Sequence, residues 1–231
     1  MELRTQVEFR VLLLVGAVAG GLWAFAEVAE SVLEGEARAV DRTLLLALRS
    51  PDGLSAPIGP RWLEVLGRDL TALGSAGVLG MLTLGVVCYL LLVRRRRVAA
   101  FVLGTIGGGV LLSTLLKVGF DRSRPAAPLQ ESHAYLSSFP SGHAMMAAVT
   151  YLTLSALLAQ VHERRMVKGF VLSVAIVLTV LVGLSRVYLG VHWPTDVLAG
   201  WAAGSAWAFC CWLGALWLLH RDRRGKEEAG A

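Results

Sequence analysis

Charge is scarce in this sequence: Asp, Glu, Lys and Arg together make up only 17% of its 231 residues. The apolar residues, 55% of the chain, run in blocks as long as the roughly 20 residues a helix needs to cross a bilayer. A soluble domain of this length needs one core, not several such blocks, so the composition predicts a polytopic membrane protein. Cysteine is scarce too. Cys88, Cys210 and Cys211 all fall inside apolar blocks with no metal or disulfide spacing, which excludes a disulfide framework and leaves them as packing residues. Internal repeats and low-complexity domains are absent. The formal net charge of +5 would suit a nucleic-acid binder. The basic residues sit beside the apolar blocks, however, where they read as orientation signals.

Six spans are expected, at about 10–29, 71–93, 98–116, 144–161, 167–184 and 196–219, forming one all-α membrane domain over 1–231. The first has the look of a signal peptide, with Arg4 and Arg10 ahead of an apolar run. The membrane domain behind it favours an uncleaved span. With a cytoplasmic N-terminus, the inner side carries Arg4, Arg10, Arg94, Arg95, Arg96, Arg97, Arg164, Arg165, Lys168, Arg221, Arg223, Arg224 and Lys226. That is 13 of the 22 basic residues, crowded into short turns where the positive-inside bias operates. Both termini are therefore expected in the cytoplasm. The tail from Arg221 reads as a solvated end, and Gly107, Gly108 and Gly109 as a small-residue packing face.

Two long segments fall on the other side. The segment 30–70 shows short helical patterns broken at Ser50-Pro51-Asp52-Gly53 and by Pro57 and Pro60. Leu44, Leu45, Leu48, Trp62, Leu63 and Leu66 suit an interfacial collar or lid; a packed connecting loop is the alternative. The segment 117–143 is polar.

Histidine is rare as well, with five in the chain, yet two of them stand at span edges in unusual company. Three stretches, KVGFDRSRP from Lys117, PSGH from Pro140 and SRVYLGVHWPTD from Ser185, come to the same outer side under the six-span layout. Lys117, Arg124 and Arg186 supply positive charge, and the arginines offer planar donor forks that match phosphate oxygens. Ser141 adds a hydroxyl. Gly142 lets backbone approach an anion where a helix starts and its first N–H groups are free. His143 sits in that first turn. His192 and Asp196 lie four apart around Pro194, which suits an early helical position. A carboxylate on one imidazole nitrogen would leave the other free for attack. Asp121, Arg122 and His133 read as polar loop groups. A zinc site made of His143, His192 and Asp196 would set a cation among three fixed basic side chains.

These stretches together resemble the signature of the type 2 phosphatidic acid phosphatase superfamily, which includes bacterial lipid phosphatases and vanadium haloperoxidases. Lys117 with Arg124-Pro125 matches its first part, Pro140-Ser141-Gly142-His143 its second, and Ser185-Arg186, His192 and Asp196 its third. The match covers about 117–196, and the six-span layout resembles the membrane members over most of the chain. Ser123 stands where many members have proline. The resemblance implies that His192 is the nucleophile of a phosphohistidine mechanism, oriented by Asp196. It implies that His143 protonates the leaving oxygen and then activates water. Lys117, Arg124, Ser141, Gly142 and Arg186 would hold the phosphoryl group. No metal or cofactor is implied.

A basic cup beside apolar helices predicts a phosphate-bearing lipid as substrate and the bilayer as partner, with no nucleic acid. The resemblance offers undecaprenyl pyrophosphate, phosphatidylglycerol phosphate, phosphatidic acid and lipid A phosphates. A compact bacterial-type member of the cytoplasmic membrane, with its site on the periplasmic or extracellular side, favours the first two. A non-catalytic transporter or binding protein for anionic lipids is the rival class, and a haloperoxidase-like use of the site a third.

Overall fold

The computed structural model describes residues 2–50, 53–125 and 137–229. His133 and the rest of 126–136 lie outside the described residues, as do the side chains of the N-terminal ten residues and of the tail from 218. Among these described residues, eight helices follow in order: α1 (Glu2–Glu34), α2 (Ala37–Leu46), α3 (Arg61–Ala72), α4 (Ala76–Leu92), α5 (Arg96–Gly119), α6 (Gly142–Val161), α7 (Arg165–Tyr188) and α8 (Pro194–Ala229). Between α2 and α3 lies a two-stranded antiparallel hairpin, β1 (Arg49–Ser50) and β2 (Gly53–Pro57), pairing Arg49 with Pro57 and Ser50 with Gly53. Among the described residues, the expected all-α fold is thus departed from only in the segment 30–70.

Among the described residues, five helices are long and apolar enough to cross a bilayer. The second expected span, 71–93, is not one straight helix: α4 begins only at Ala76, and α3 meets it at a bend of 45°. A tight turn held by tertiary contacts makes the bend. Leu73, Gly74 and Ser75 each donate to the carbonyl three residues back, and Tyr151 of α6 donates its hydroxyl to the Leu73 carbonyl at 2.8 Å. Ser75 then caps α4, its Oγ accepting from Val78 N–H. A Cβ at Gly74 would fall 2.4 Å from Val182 Cγ1 and 3.3 Å from the His143 carbonyl, so the bend fits only around glycine.

Helix α6 lies at the centre, against α5, α7 and α8, while α1 covers α8. In a bilayer apolar surface gives little drive for helix association, so close approach of small residues and interhelical hydrogen bonds carry the packing. Both are present. A Cβ on Gly200 or Gly204 of α8 would come within 2.7 Å of the Ser141 carbonyl or 2.5 Å of the Met145 carbonyl. Trp201 and Trp207 donate their indole N–H groups to the Thr179 and Thr105 carbonyls at 3.0 and 2.8 Å. Of the expected glycine face, Gly108 meets Trp207 and Gly109 meets Val149, while Gly107 meets nothing within 4 Å. All three cysteines are free, and two depart from the expected packing role: Cys88 and Cys210 are exposed.

The segment 30–70 divides its apolar residues. Leu45 is buried in a cluster with Ala144, Val187 and Val197, and Leu48 packs on it. Leu44, Trp62 and Leu66 remain exposed. The segment therefore is both a packed connection and an apolar surface.

Candidate active site

The C-terminal ends of α5 and α7 and the N-terminal ends of α6 and α8 lie at one end of the bundle, and all eight expected site residues lie there or on the adjoining connections. Lys117 is in the last turn of α5, and its Nζ lies 3.2 Å from where a Cβ on Gly142 would be. A Cβ there would crowd the ammonium, which would have to give by a few tenths of an ångström. Arg124 follows on the connection and Arg186 occupies the last turn of α7. His143 lies within Coulombic range of Arg186, His192, Lys117 and Arg124.

Among the described residues, no salt bridge joins Lys117, Arg124 or Arg186 to a carboxylate. Arg186 donates to the Thr71 hydroxyl at 3.0 Å, which brings α3 to the site. The buried Nε atoms of Arg124 and Arg186 and the buried Oγ of Ser141 have no hydrogen-bond partner among the described residues. Ser141 is the N-cap of α6, yet its hydroxyl makes no capping bond, so it stays available beside the free first-turn N–H groups. Buried donors are seldom left unpaired, and each such group calls for a missing partner. Two guanidinium donors and a hydroxyl at one place suit an anionic acceptor.

His192 lies in the turn between α7 and α8 and is 1% exposed. Its Nδ1 is 3.3 Å from Oδ2 of the fully buried Asp196, which also accepts the Trp193 backbone N–H at 3.0 Å. The four-residue spacing therefore works without a helical turn at His192, because Pro194 starts α8 and Asp196 reaches back. Burial pushes the His192 imidazole down to about 4; the Asp196 hydrogen bond opposes this, and Arg186 and Arg124 reinforce it. The ring is neutral at pH 7. Burial likewise lowers Arg124, with Asp196 opposing.

Arg122 requires a correction. Rather than a polar loop group, it bridges two buried carboxylates, Asp196 Oδ1 at 2.5 Å and Asp41 Oδ2 at 2.6 Å. It also donates to Thr195 Oγ1 at 2.8 Å and lies over the Trp193 ring. Asp41 of α2, 1% exposed, went unnoticed in the sequence altogether. Its faint signal was a lone acidic residue at the apolar side of an amphipathic helix, aligned with Ala37 and Leu45. Asp121 is exposed, as expected of a loop residue.

Helices long and apolar enough to span a bilayer surround a basic site that suits an anionic group, and comparison with known proteins supplies the class. The PAP2 superfamily model matches residues 97–219. Phosphatidylglycerophosphatase B of Bacillus subtilis is 37% identical over 145 residues, 62% of this chain and 70% of that protein. Undecaprenyl-diphosphatase of Sulfolobus acidocaldarius is 44% identical over 68 residues, 29% of each chain. The crystal structure of a transmembrane PAP2-type phosphatidylglycerolphosphate phosphatase from Bacillus subtilis superposes with a TM-score of 0.67 at 31% identity, covering 86% of this chain and 93% of that one. This chain belongs to the PAP2 superfamily.

Proposed function

We propose that this phosphatase removes a phosphate or pyrophosphate group from a membrane lipid at the outer face of the cytoplasmic membrane, through a phosphohistidine on His192. Phosphatidylglycerol phosphate and undecaprenyl pyrophosphate are the proposed substrates, in keeping with the names of the two relatives. The observation that carries the reading is a set of buried donors on Ser141, Arg124 and Arg186 without partners among the described residues, the two arginines acting electrostatically on an imidazole paired with Asp196.

Lys117, Arg124, Ser141, the Gly142 amide and Arg186 hold the phosphoryl oxygens and favour the charge that develops on them in the transition state. His192 Nε2 attacks phosphorus while Asp196 keeps the proton on Nδ1 and supports the imidazolium. The P–O bond to the leaving group breaks as the P–N bond forms, and His143 gives its proton to the departing oxygen. His143 then takes a proton from water, whose oxygen displaces His192 from phosphorus and releases inorganic phosphate. The fixed cations supply the positive charge the reaction needs, so no divalent metal is required.

The proposed topology is a single domain with six spans, α3 and α4 together forming the second, and both termini cytoplasmic. The basic turns at 94–97 and 164–168 support it by lying at the bundle end opposite the site.

Phosphate release by purified protein in chelator tests the reading, with phosphatidylglycerol phosphate, undecaprenyl pyrophosphate, phosphatidic acid and a lipid A phosphate compared by kcat/KM. Turnover without metal and a clear preference for one of the first two is expected. Binding without release would favour an anionic-lipid binding protein, and activity restored only by added metal would overturn the mechanism.

A further inference from the structure

We infer that the segment from α2 to the hairpin is a clamp on the His192 turn, with Asp41 and Arg49 as positioning residues; this rests on His192 being the nucleophile. The turn from Leu189 to Trp193 joins two helix ends, and one short segment grips both. At the α8 side, Asp41 accepts the Thr195 N–H at 3.0 Å and the Thr195 hydroxyl at 2.6 Å. It also holds Arg122, which holds Asp196. At the α7 side, Arg49 donates through Nη2 to the Val187 carbonyl at 3.2 Å and to the Tyr188 carbonyl.

The signs of charge are those the helix ends favour. The Thr195 N–H at the start of α8 meets a carboxylate, and the last carbonyls of α7 meet a guanidinium. Both residues are buried, Asp41 1% and Arg49 6% exposed, so neither contact is a loose surface pair. Gly190 sits between them at φ +73, and a Cβ there would lie 3.0 Å from Arg49 Nη1. The clamp therefore closes directly on the backbone two residues before His192.

Charge explains why Arg122 needs Asp41. Arg122 by itself would fix the rotation of the Asp196 carboxylate but draw its charge away from His192. With Asp41 on its other nitrogen, the triad carries one net negative charge, as an isolated Asp196 would. Asp196 is then held through Oδ1 while Oδ2 still serves the imidazole. Neither Asp41 nor Arg49 needs to touch substrate; each acts on the placement of a group that does. Misplacement of a reacting group by about 1 Å can cost on the order of 100-fold in rate.

The test compares Asp41→Asn, the milder Thr195→Val and Arg49→Met with wild type and His192→Ala. Phosphatidylglycerol phosphate in mixed micelles serves as substrate and inorganic phosphate as competitive inhibitor. Asp41→Asn and Arg49→Met should lower kcat by roughly 10–100-fold and Thr195→Val by less. The inhibition constant for phosphate should stay within about twofold in Asp41→Asn and Thr195→Val, because the donors of the cup are untouched there. A purely structural role would instead lower the amount of folded protein, with wild-type kcat per folded molecule. Wild-type kcat in Asp41→Asn and Thr195→Val, with His192→Ala inactive, overturns the clamp alone. An active His192→Ala overturns both the clamp and the mechanism it serves. Should Asp41→Asn fail to fold, Thr195→Val decides in the same two ways.

Discussion

Oδ1 of Asp196 accepts from Arg122 at 2.5 Å while its Oδ2 lies 3.3 Å from His192 Nδ1. One buried carboxylate thus joins the 120–125 connection to the turn between α7 and α8. If His192 is the nucleophile, Asp196→Asn keeps the shape, loses the charge that supports the imidazolium, and breaks the ion pair with Arg122. Its activity should fall between those of wild type and His192→Ala, measured as kcat with phosphatidylglycerol phosphate. Full activity would show that the carboxylate charge is dispensable.

His143→Ala should expose the proton demand of the leaving group. Loss of a general acid costs about 10²–10⁴-fold when an alkoxide must be protonated. A pyrophosphate ester expels a phosphate group, which leaves far more readily. The penalty should therefore be smaller with undecaprenyl pyrophosphate than with phosphatidylglycerol phosphate. Equal penalties would remove His143 from the acid role.

The pH dependence follows from the neutral His192. Its conjugate acid is held down to about 4, so the attacking form is complete above that value and is lost as pH falls through it. An imidazole near its ordinary 6.5 would instead be about nine-tenths protonated at pH 5.5. The check is kcat/KM for a p-nitrophenyl phosphate ester in His143→Ala, corrected for the substrate's own titration, which reports the free enzyme. The expected change between pH 7 and 5.5 is under about twofold. A roughly eightfold fall would place the pKa at its ordinary value.

The three signature stretches were readable because their chemistry lies in residue type. Two histidines, an aspartate and three cations at expected helix ends point to anion chemistry from residue type alone, and the structure places them at one bundle end. The Asp41–Arg122–Asp196 bridge was not readable. Its members come from three separate elements, and no local pattern marks Arg122 off from its basic neighbours. The bend at Leu73 to Ser75 was hidden for a similar reason. Hydropathy runs through it without a break, while its cause, the fit of Gly74 against Val182 and His143, is tertiary. The apolar residues of 30–70 were recognised as such, but burial of Leu45 depends on Ala144 and Val187, which the sequence sets about a hundred residues or more away.

Close packing of α6 on α8 yields a stability prediction. A Cβ at Gly204 would lie 2.5 Å from the Met145 carbonyl and 2.9 Å from Ala148 Cβ, neither of which is a flexible side-chain end. Gly204→Ala should destabilise by about 1–3 kcal/mol and lower the Tm of the detergent-solubilised protein. Gly85→Ala, where nothing lies within 4 Å, is the control and should leave Tm unchanged or slightly raised. Equal Tm values for both would refute the packing argument.

Topology is tested by single cysteines at Ala39 and Glu163, both exposed positions, in a background lacking Cys88, Cys210 and Cys211. Ala39→Cys should react with an impermeant thiol reagent in intact cells, and Glu163→Cys only after lysis. The reverse pattern would invert the protein in its membrane and move the site to the cytoplasmic side.

The central claim is that His192 carries the phosphoryl group, and trapping that group tests it most directly. Wild-type protein quenched during turnover of a radiolabelled lipid phosphate should retain acid-labile label, and His192→Ala should retain none while still binding substrate. His143→Ala should still become labelled, and should lose the label slowly. Label that persists in His192→Ala and disappears only in His143→Ala would contradict the account and exchange the roles of the two histidines.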